Sequence, residues 1–312
     1  MMHKRRLWAD LALLLAAFIW GVAFVVQRMA AAEVQPYVFN GIRFLVGALV
    51  ILPFALIRAK RGVGPGELGW KTGGLMSGKY LPGVALAGLL LASGAAFQQV
   101  GLIYTTASNA GFITGLYVVF LPVFLTLGGR RKIPRLMIWI AAFLSALGLY
   151  LLSTGGQFQL NRGDILVMVS SAFWAFHVIL IDWMVQRVEV LQLVTGQYIV
   201  CGLVSLSLGL YLEPEALQSV VSNWWLLAYM GVISVGLGYT LQAVGQREAP
   251  PADAAIILSM EAVFAATGGW LFLGESLAPL QLLGCGIILL GMLLAQSDVI
   301  LGKRLAVLEA ER

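Results

Sequence analysis

Residues 10–20 read DLALLLAAFIW and residues 164–174 read DILVMVSSAFW. Both run from an aspartate to a tryptophan through apolar or small residues, so the second stretch repeats the first at an offset of 154. A second correspondence, at an offset of 144, lays Gln98, Gly101, Asn109, Val119 and Phe120 on Gln242, Gly245, Asp253, Val263 and Phe264. Outward from these anchors, apolar spans are expected at 8–28, 36–57, 81–104, 107–127 and 135–154, and again at 164–184, 190–212, 224–246, 252–273 and 277–297. Each is near the length of about 20 residues that a helix needs to cross a bilayer. Five is odd, so the second set enters the membrane from the opposite face, and the two sets are inverted repeats related by an axis in the membrane plane. The expected fold is an all-α polytopic membrane protein of ten transmembrane helices. They form two inverted five-helix repeats, residues 1–154 and 155–312, around a central cavity.

Composition supports this reading. Hydrophobic residues make up 60% of the chain, charged residues 11%, and the mean hydropathy is +0.90. A water-soluble domain of this length needs a polar exterior, whereas in lipid the outer helix faces can be as apolar as the inner ones. The net charge of +5 has a topological explanation. With the N-terminus in the cytoplasm, the cytoplasmic side receives Lys4, Arg5, Arg6, Arg58, Lys60, Arg61, Lys71, Lys79, Arg130, Arg131, Lys132, Arg135, Arg187, Arg247, Lys303, Arg304 and Arg312. Of the 20 lysines and arginines, only Arg28 and Arg162 fall outside, and Arg43 lies within the second span. That is the positive-inside pattern, with both termini cytoplasmic, and a one-span error would destroy it. Nucleic-acid binding would instead gather the cations on one folded face.

Aromatic residues agree with the topology. Trp8, Tyr80, Trp139 and Trp183 fall at inner ends and Tyr37, Tyr104, Tyr211, Trp224, Trp225 and Trp270 at outer ones, as interfacial anchors do. Trp20 and Trp174 are the exceptions near mid-membrane. Lys4, Arg5 and Arg6 ahead of an apolar run also resemble the start of a secretory signal, but the run is long for a signal core, and its removal would break the repeat. Cys201 and Cys285 lie inside spans without metal-ligand spacing and read as small core residues.

Several stretches together resemble the EamA-type members of the drug/metabolite transporter superfamily, across essentially the whole chain. They are AFIWG at 17–21, Arg43-Phe44, QQVGLIYTTASNAGFITGLYVVFLP at 98–122, SMEAVF at 259–264 and LGE at 273–275. The resemblance implies ten helices, two inverted repeats, a central cavity and export of amino acids, metabolites or toxic compounds. One departure is visible: where many such proteins have Glu-Pro in the ninth span, this chain has Glu261-Ala262, so a less kinked helix is expected there, with Pro122 supplying the break in span four.

Among residues able to do chemistry, Glu261 stands first, because a carboxylate near mid-span is costly unless paired, hydrated or protonated. Gaining and losing a proton as the cavity alternates would couple transport to the proton gradient; the alternatives are a permanently neutral acid or a fixed partner of Arg43. Arg43 lies about two turns inside the outer end of span two. It can face the cavity and hold a substrate carboxylate, pair with a protein acid, or snorkel to the interface. His177 is one turn from Trp174 on the same helix face, as a cavity wall or as a packing residue. Thr114 and Tyr117 are similarly placed on span four, where Tyr117 aligns with Glu261 in the repeat. Gln98, Gln99 and Asn109, with Tyr239 and Gln242 in the matching span eight, can bind a polar solute or join helices. Trp20 and Trp174 would flank the same cavity, able to stack on a substrate. Gly111 and Gly115 form a GxxxG spacing that admits a close helix contact.

An intramembrane enzyme would need a nucleophile and base, or a metal cluster, at depth. The sequence holds two histidines and no HExxH, GxSxG or phosphate-cradling motif, and no cofactor is expected. The expected function is a secondary transporter that moves small polar or amphipathic metabolites by alternating access in a bacterial cytoplasmic membrane, with the outward direction resting on the resemblance. The partners are a small-molecule substrate, the lipid bilayer and a coupled proton, in a monomer or homodimer. An uncoupled facilitator or uptake permease is the alternative, which a Glu261→Gln substitution would separate.

Overall fold

Every described segment of secondary structure is helical, as lipid requires of a chain whose backbone groups must bond within their own segment. The computed structural model describes residues 2–60, 77–128, 136–154, 161–274, 276 and 278–295. Arg61, Lys71, Arg130, Arg131, Lys132, Arg135, Lys303, Arg304, Arg312 and Glu275 of the patterns above lie outside the described residues. The helices are α1 (Met2–Glu33), α2 (Pro36–Lys60), α3 (Leu81–Gly101), α4 in two halves (Ala107–Gly115 and Tyr117–Leu127) and α5 (Leu136–Thr154). There follow α6 (Arg162–Val185), α7 (Val190–Leu212), α8 (Trp224–Gly245), α9 in two halves (Pro251–Leu258 and Glu261–Leu273) and α10 (Pro279–Ala295). Eight are long and apolar enough to cross a membrane, and α5 and α10 supply the two shorter apolar helices that complete ten.

Local chemistry sets their ends. Proline opens α2 and the first half of α9, where its missing N–H leaves no bond unmade. Asn161 and Asp164 form a reciprocal capping box at the start of α6. Gly274 closes α9 at φ +67°, in the left-handed region that suits glycine.

Packing between the halves obeys the expected two-fold relation. α1 packs on α9 as α6 packs on α4; α1 on α8 as α6 on α3; α2 on α8 as α7 on α3. The remaining large contacts, α2 with α7, α4 with α9 and α5 with α10, are each between a helix and its own repeat mate. Small residues make these approaches close, since lipid offers no hydrophobic drive for helix association. A Cβ on Gly148 of α5 would lie 2.6 Å from the Gly284 carbonyl oxygen of α10. The two glycines of the GxxxG spacing serve different neighbours, Gly111 meeting Ala265 of α9 and Gly115 meeting Leu149 of α5. Trp8, Tyr104, Trp183, Tyr211, Trp224, Trp225 and Trp270 are exposed at helix ends, as anchors require, while Trp174 is buried.

The two broken helices correct one expectation. α4 is interrupted at Leu116, more than a turn ahead of Pro122, and α9 is interrupted at Ser259–Met260 although Ala262 stands where a proline would kink it. Both joints use short i→i−3 bonds: Leu116 N to Ile113 O at 3.2 Å and Val119 N to Leu116 O at 2.9 Å in α4, Met260 N to Ile257 O at 3.2 Å and Ala262 N to Ser259 O at 3.1 Å in α9. At the second joint the Ser259 hydroxyl also donates back to the Ile256 carbonyl, 2.7 Å, a bond that bends helices without proline. The halves begin at Ala107 and Tyr117 in α4 and at Pro251 and Glu261 in α9, so the breaks themselves repeat at the offset of 144. α8 departs in another way, being a π-helix over Tyr229–Tyr239, a widening that occurs where side chains are redirected.

Candidate functional site

The two helix breaks and the π-segment meet around one central cavity of about 40 Å³. Trp20, Phe24 and Gln27 reach it from α1, Arg43 from α2, Gln98 from α3, Thr114 and Tyr117 from either side of the α4 break, and Trp174, His177 and Val178 from α6. Ser234, Tyr239 and Gln242 of α8 and Leu258 and Glu261, across the α9 break, complete it. Ten of the residues singled out in the sequence therefore share one wall-to-wall space. Gln99 and Asn109 are absent from its lining. Gln99 turns its amide to the Gln27 backbone carbonyl, 3.1 Å, and Asn109 sits in the first turn of α4, its backbone N–H bonded to the Thr106 hydroxyl at 3.1 Å. Both sit at the end of the bundle where α3 finishes and α4 begins, Asn109 about two turns before the α4 break.

Tyr239 is the hub of the aromatic wall. Its ring centroid lies 4.6 Å from that of Trp20, 5.9 Å from Phe44, 6.0 Å from Trp174 and 6.2 Å from His177. It is also within electrostatic reach of both Arg43 and Glu261. The two tryptophans are seated by repeat-related glycines: a Cβ on Gly94 of α3 would lie 3.1 Å from the Trp174 ring, and one on Gly238 of α8 would lie 2.6 Å from Trp20 Nε1. Their polar ends differ. Trp20 Nε1 donates to the Ser234 carbonyl at 3.2 Å, whereas Trp174 Nε1 is buried without a partner.

Arg43 is 3% exposed, so it faces inward rather than snorkelling. Nη1 donates to Gln27 Oε1 at 3.1 Å, the guanidinium lies 5.2 Å and 5.1 Å from the ring centroids of Phe39 and Phe44, and Nε is left without a partner. No ion pair joins it to a described acid, so Glu261 is not locked to it. Glu261 is 3% exposed and its Oε1 has no hydrogen-bond partner. The Tyr117 phenol lies beside this carboxyl but out of regular bonding geometry, and its hydroxyl is likewise unpaired. His177 Nε2 meets Gln197 Oε1 at 2.9 Å; that oxygen accepts, so Nε2 carries the hydrogen and Nδ1 is left as a free acceptor. Gln98 donates to the Thr114 hydroxyl at 3.0 Å.

Five side chains of one cavity thus each hold a buried polar atom unmatched by protein: Arg43, Tyr117, Trp174, His177 and Glu261. Buried polar groups are normally paired, so a cluster of orphans around a space marks where water or a solute completes the bonding. No group of three or more metal-ligating side chains occurs among the described residues. Gln27 and Ser234 are the polar wall residues that sequence reasoning missed. For Ser234 the sequence held no such signal, and Gln27 is the informative case. It has no polar repeat mate, but it lies two helical turns beyond Trp20 on the same face of α1, and that periodicity was the available signal.

Inverted helical repeats closed around a polar, incompletely bonded cavity within the bilayer define a multi-pass membrane transporter. The chain belongs to the EamA-like transporter family, whose sequence pattern matches it twice, over residues 7–154 and 161–296. An uncharacterized transporter of Archaeoglobus fulgidus is 30% identical over 297 residues, covering 95% of this chain and 88% of that protein. The threonine/homoserine exporter RhtA of Escherichia coli is 27% identical over 177 residues, 54% of this chain and 56% of its own. A solved crystal structure aligns with a TM-score of 0.73 over 95% of this chain and 98% of that one, at 16% identity, a likeness of fold alone.

Proposed function

We propose that this transporter exports small polar or amphipathic metabolites, amino acids and their relatives foremost, by alternating access, and that Glu261 carries the coupled proton. The observation that carries the reading is the state of Glu261: a carboxyl at a helix break, inside a cavity, paired with no described cation. Such a group is stable in lipid-level surroundings as the neutral acid and as the anion only when water or a cationic solute reaches it. Opening the cavity to one face and then the other would let it take up and release a proton in turn, with Arg43 and the aromatic wall binding the solute. The two units expected to rock are residues 1–154 and 155–312, and the positive-inside pattern supports cytoplasmic termini in a bacterial cytoplasmic membrane. The exporter name of RhtA supports the direction.

The test compares metabolites in the medium of cells expressing the parent and Glu261→Gln at equal membrane levels. Solutes enriched only by the parent support coupled export and identify its cargo. Equal enrichment by both proteins makes the carboxyl dispensable and the protein a facilitator; enrichment by neither counts against export.

A further inference from the structure

At the end of the bundle where α1 begins, charged side chains from the two repeats meet. Arg6 Nε donates to Asp10 Oδ1, one turn along α1, at 2.9 Å, and Arg6 Nη2 donates to Asp253 Oδ2, in the first turn of α9, at 3.0 Å. Arg6 Nη1 also points at the Glu248 carbonyl oxygen, 3.5 Å, in the turn before α9. The side chains of Arg6, Asp10 and Asp253 retain 13%, 19% and 4% of their exposure, so the cluster is mostly withdrawn from water. An ion pair there holds more firmly than on a surface, and loss of one member strands the others.

The opposite end carries the repeat-related arrangement without a bridging cation. Asp164, the mate of Asp10, accepts from the Thr105 hydroxyl at 2.6 Å, just ahead of α4, and Asn109 stands where α9 has Asp253. Arg162 is stacked on Tyr104, 3.6 Å from the ring centroid. In both places an aspartate of a repeat's first helix is tied across to the start of the other repeat's fourth helix. Only at the N-terminal face does an arginine bridge two carboxylates.

We propose that Arg6, Asp10 and Asp253 form the latch that closes the N-terminal-face gate, and that Arg6 must leave Asp253 for the cavity to open there. The proposal rests on the alternating-access reading above. It gives the two gates different holding chemistry, a cation bridging two carboxylates on one face and a hydroxyl donating to one carboxylate on the other, although the fold makes them symmetric.

The test uses the full chain with Cys201→Ala and Cys285→Ala and a reporter, Ser234→Cys, in the central cavity. An impermeant thiol reagent is applied to sealed vesicles of each orientation, an N-terminal tag reporting which face is which. Arg6→Gln and Asp253→Asn should each raise labelling from the N-terminal face by about tenfold, the change expected if losing the pair shifts the gate equilibrium by about 1.4 kcal/mol. Exchange of the charges, Arg6→Asp with Asp253→Arg, keeps a cation between two carboxylates and should return the rate toward that of the parent, which a merely misfolded protein would not do. If both single variants label as the parent does, or if the exchange fails to restore a raised rate, the latch is wrong. A reporter that stays unlabelled from both faces, in the parent and in every variant and with or without solute, would overturn alternating access itself, and the latch with it.

Discussion

Glu261 and Tyr117 occupy equivalent positions in the two repeats, and at the residue scale their difference is the main chemical asymmetry of the cavity. A phenol beside a carboxyl, its hydroxyl buried without a regular hydrogen-bond partner, adds little to stability there. Tyr117→Phe is therefore expected to leave the melting midpoint of the purified protein unchanged or to raise stability by up to about 1 kcal/mol, while lowering transport in vesicles. A midpoint that falls would show the hydroxyl to be structural. Arg43 is argued in the same way: it has one bond, to Gln27, and no described acid to strand. Arg43→Met, which keeps much of the volume, should change stability by about 1 kcal/mol or less and raise the KM for a carboxylate-bearing solute. Unchanged transport kinetics would remove Arg43 from the site. The candidate residues were legible because an ionisable or amide side chain inside an apolar span is costly and therefore conspicuous. Gln99 and Asn109 met that criterion without lining the cavity, since polarity reports depth in the membrane but not which neighbour a side chain faces.

At the scale of the element, glycines decide how closely helices approach, and their surroundings differ sharply. A Cβ on Gly148 would meet the backbone of α10 at 2.6 Å and 2.8 Å, whereas one on Gly286 of α10 meets nothing within 4 Å. Gly148→Ala should destabilise the protein by about 1–3 kcal/mol through separation of α5 and α10. Gly286→Ala should stabilise it by about 0.5–1 kcal/mol, the ordinary gain of alanine over glycine in a helix. Thermal unfolding in one detergent reads both; equal effects would show that α5 and α10 do not pack as described. Gly94→Ala and Gly238→Ala should act on transport as well, by displacing Trp174 and Trp20 from the wall. Helix positions were readable from apolar length, but the breaks were not. Proline pointed to Pro122 and away from α9, yet both joints arise from short-range hydrogen bonds that leave no sequence mark beyond Ser259.

For the whole molecule, parity is the property at stake. If five-helix units are inverted, a reporter at the N-terminus and one in the turn at 186–189 should lie on the same membrane face. One at 213–215 should lie on the other. Protease protection of tagged vesicles checks this, and any two of the three reporting otherwise would unseat the orientation. The amino-acid sequence by itself determined the membrane as solvent, the ten helices, their inverted order and the residues too polar to sit idle in lipid, because each follows from local hydropathy, charge sidedness and parity. Only the tertiary structure decided that α4 and α9 break at matching points and that Gln27 shares the cavity. It alone, too, set Arg6 between Asp10 and Asp253. Those relations join residues far apart in the chain, and they exist only once the two repeats have packed against each other.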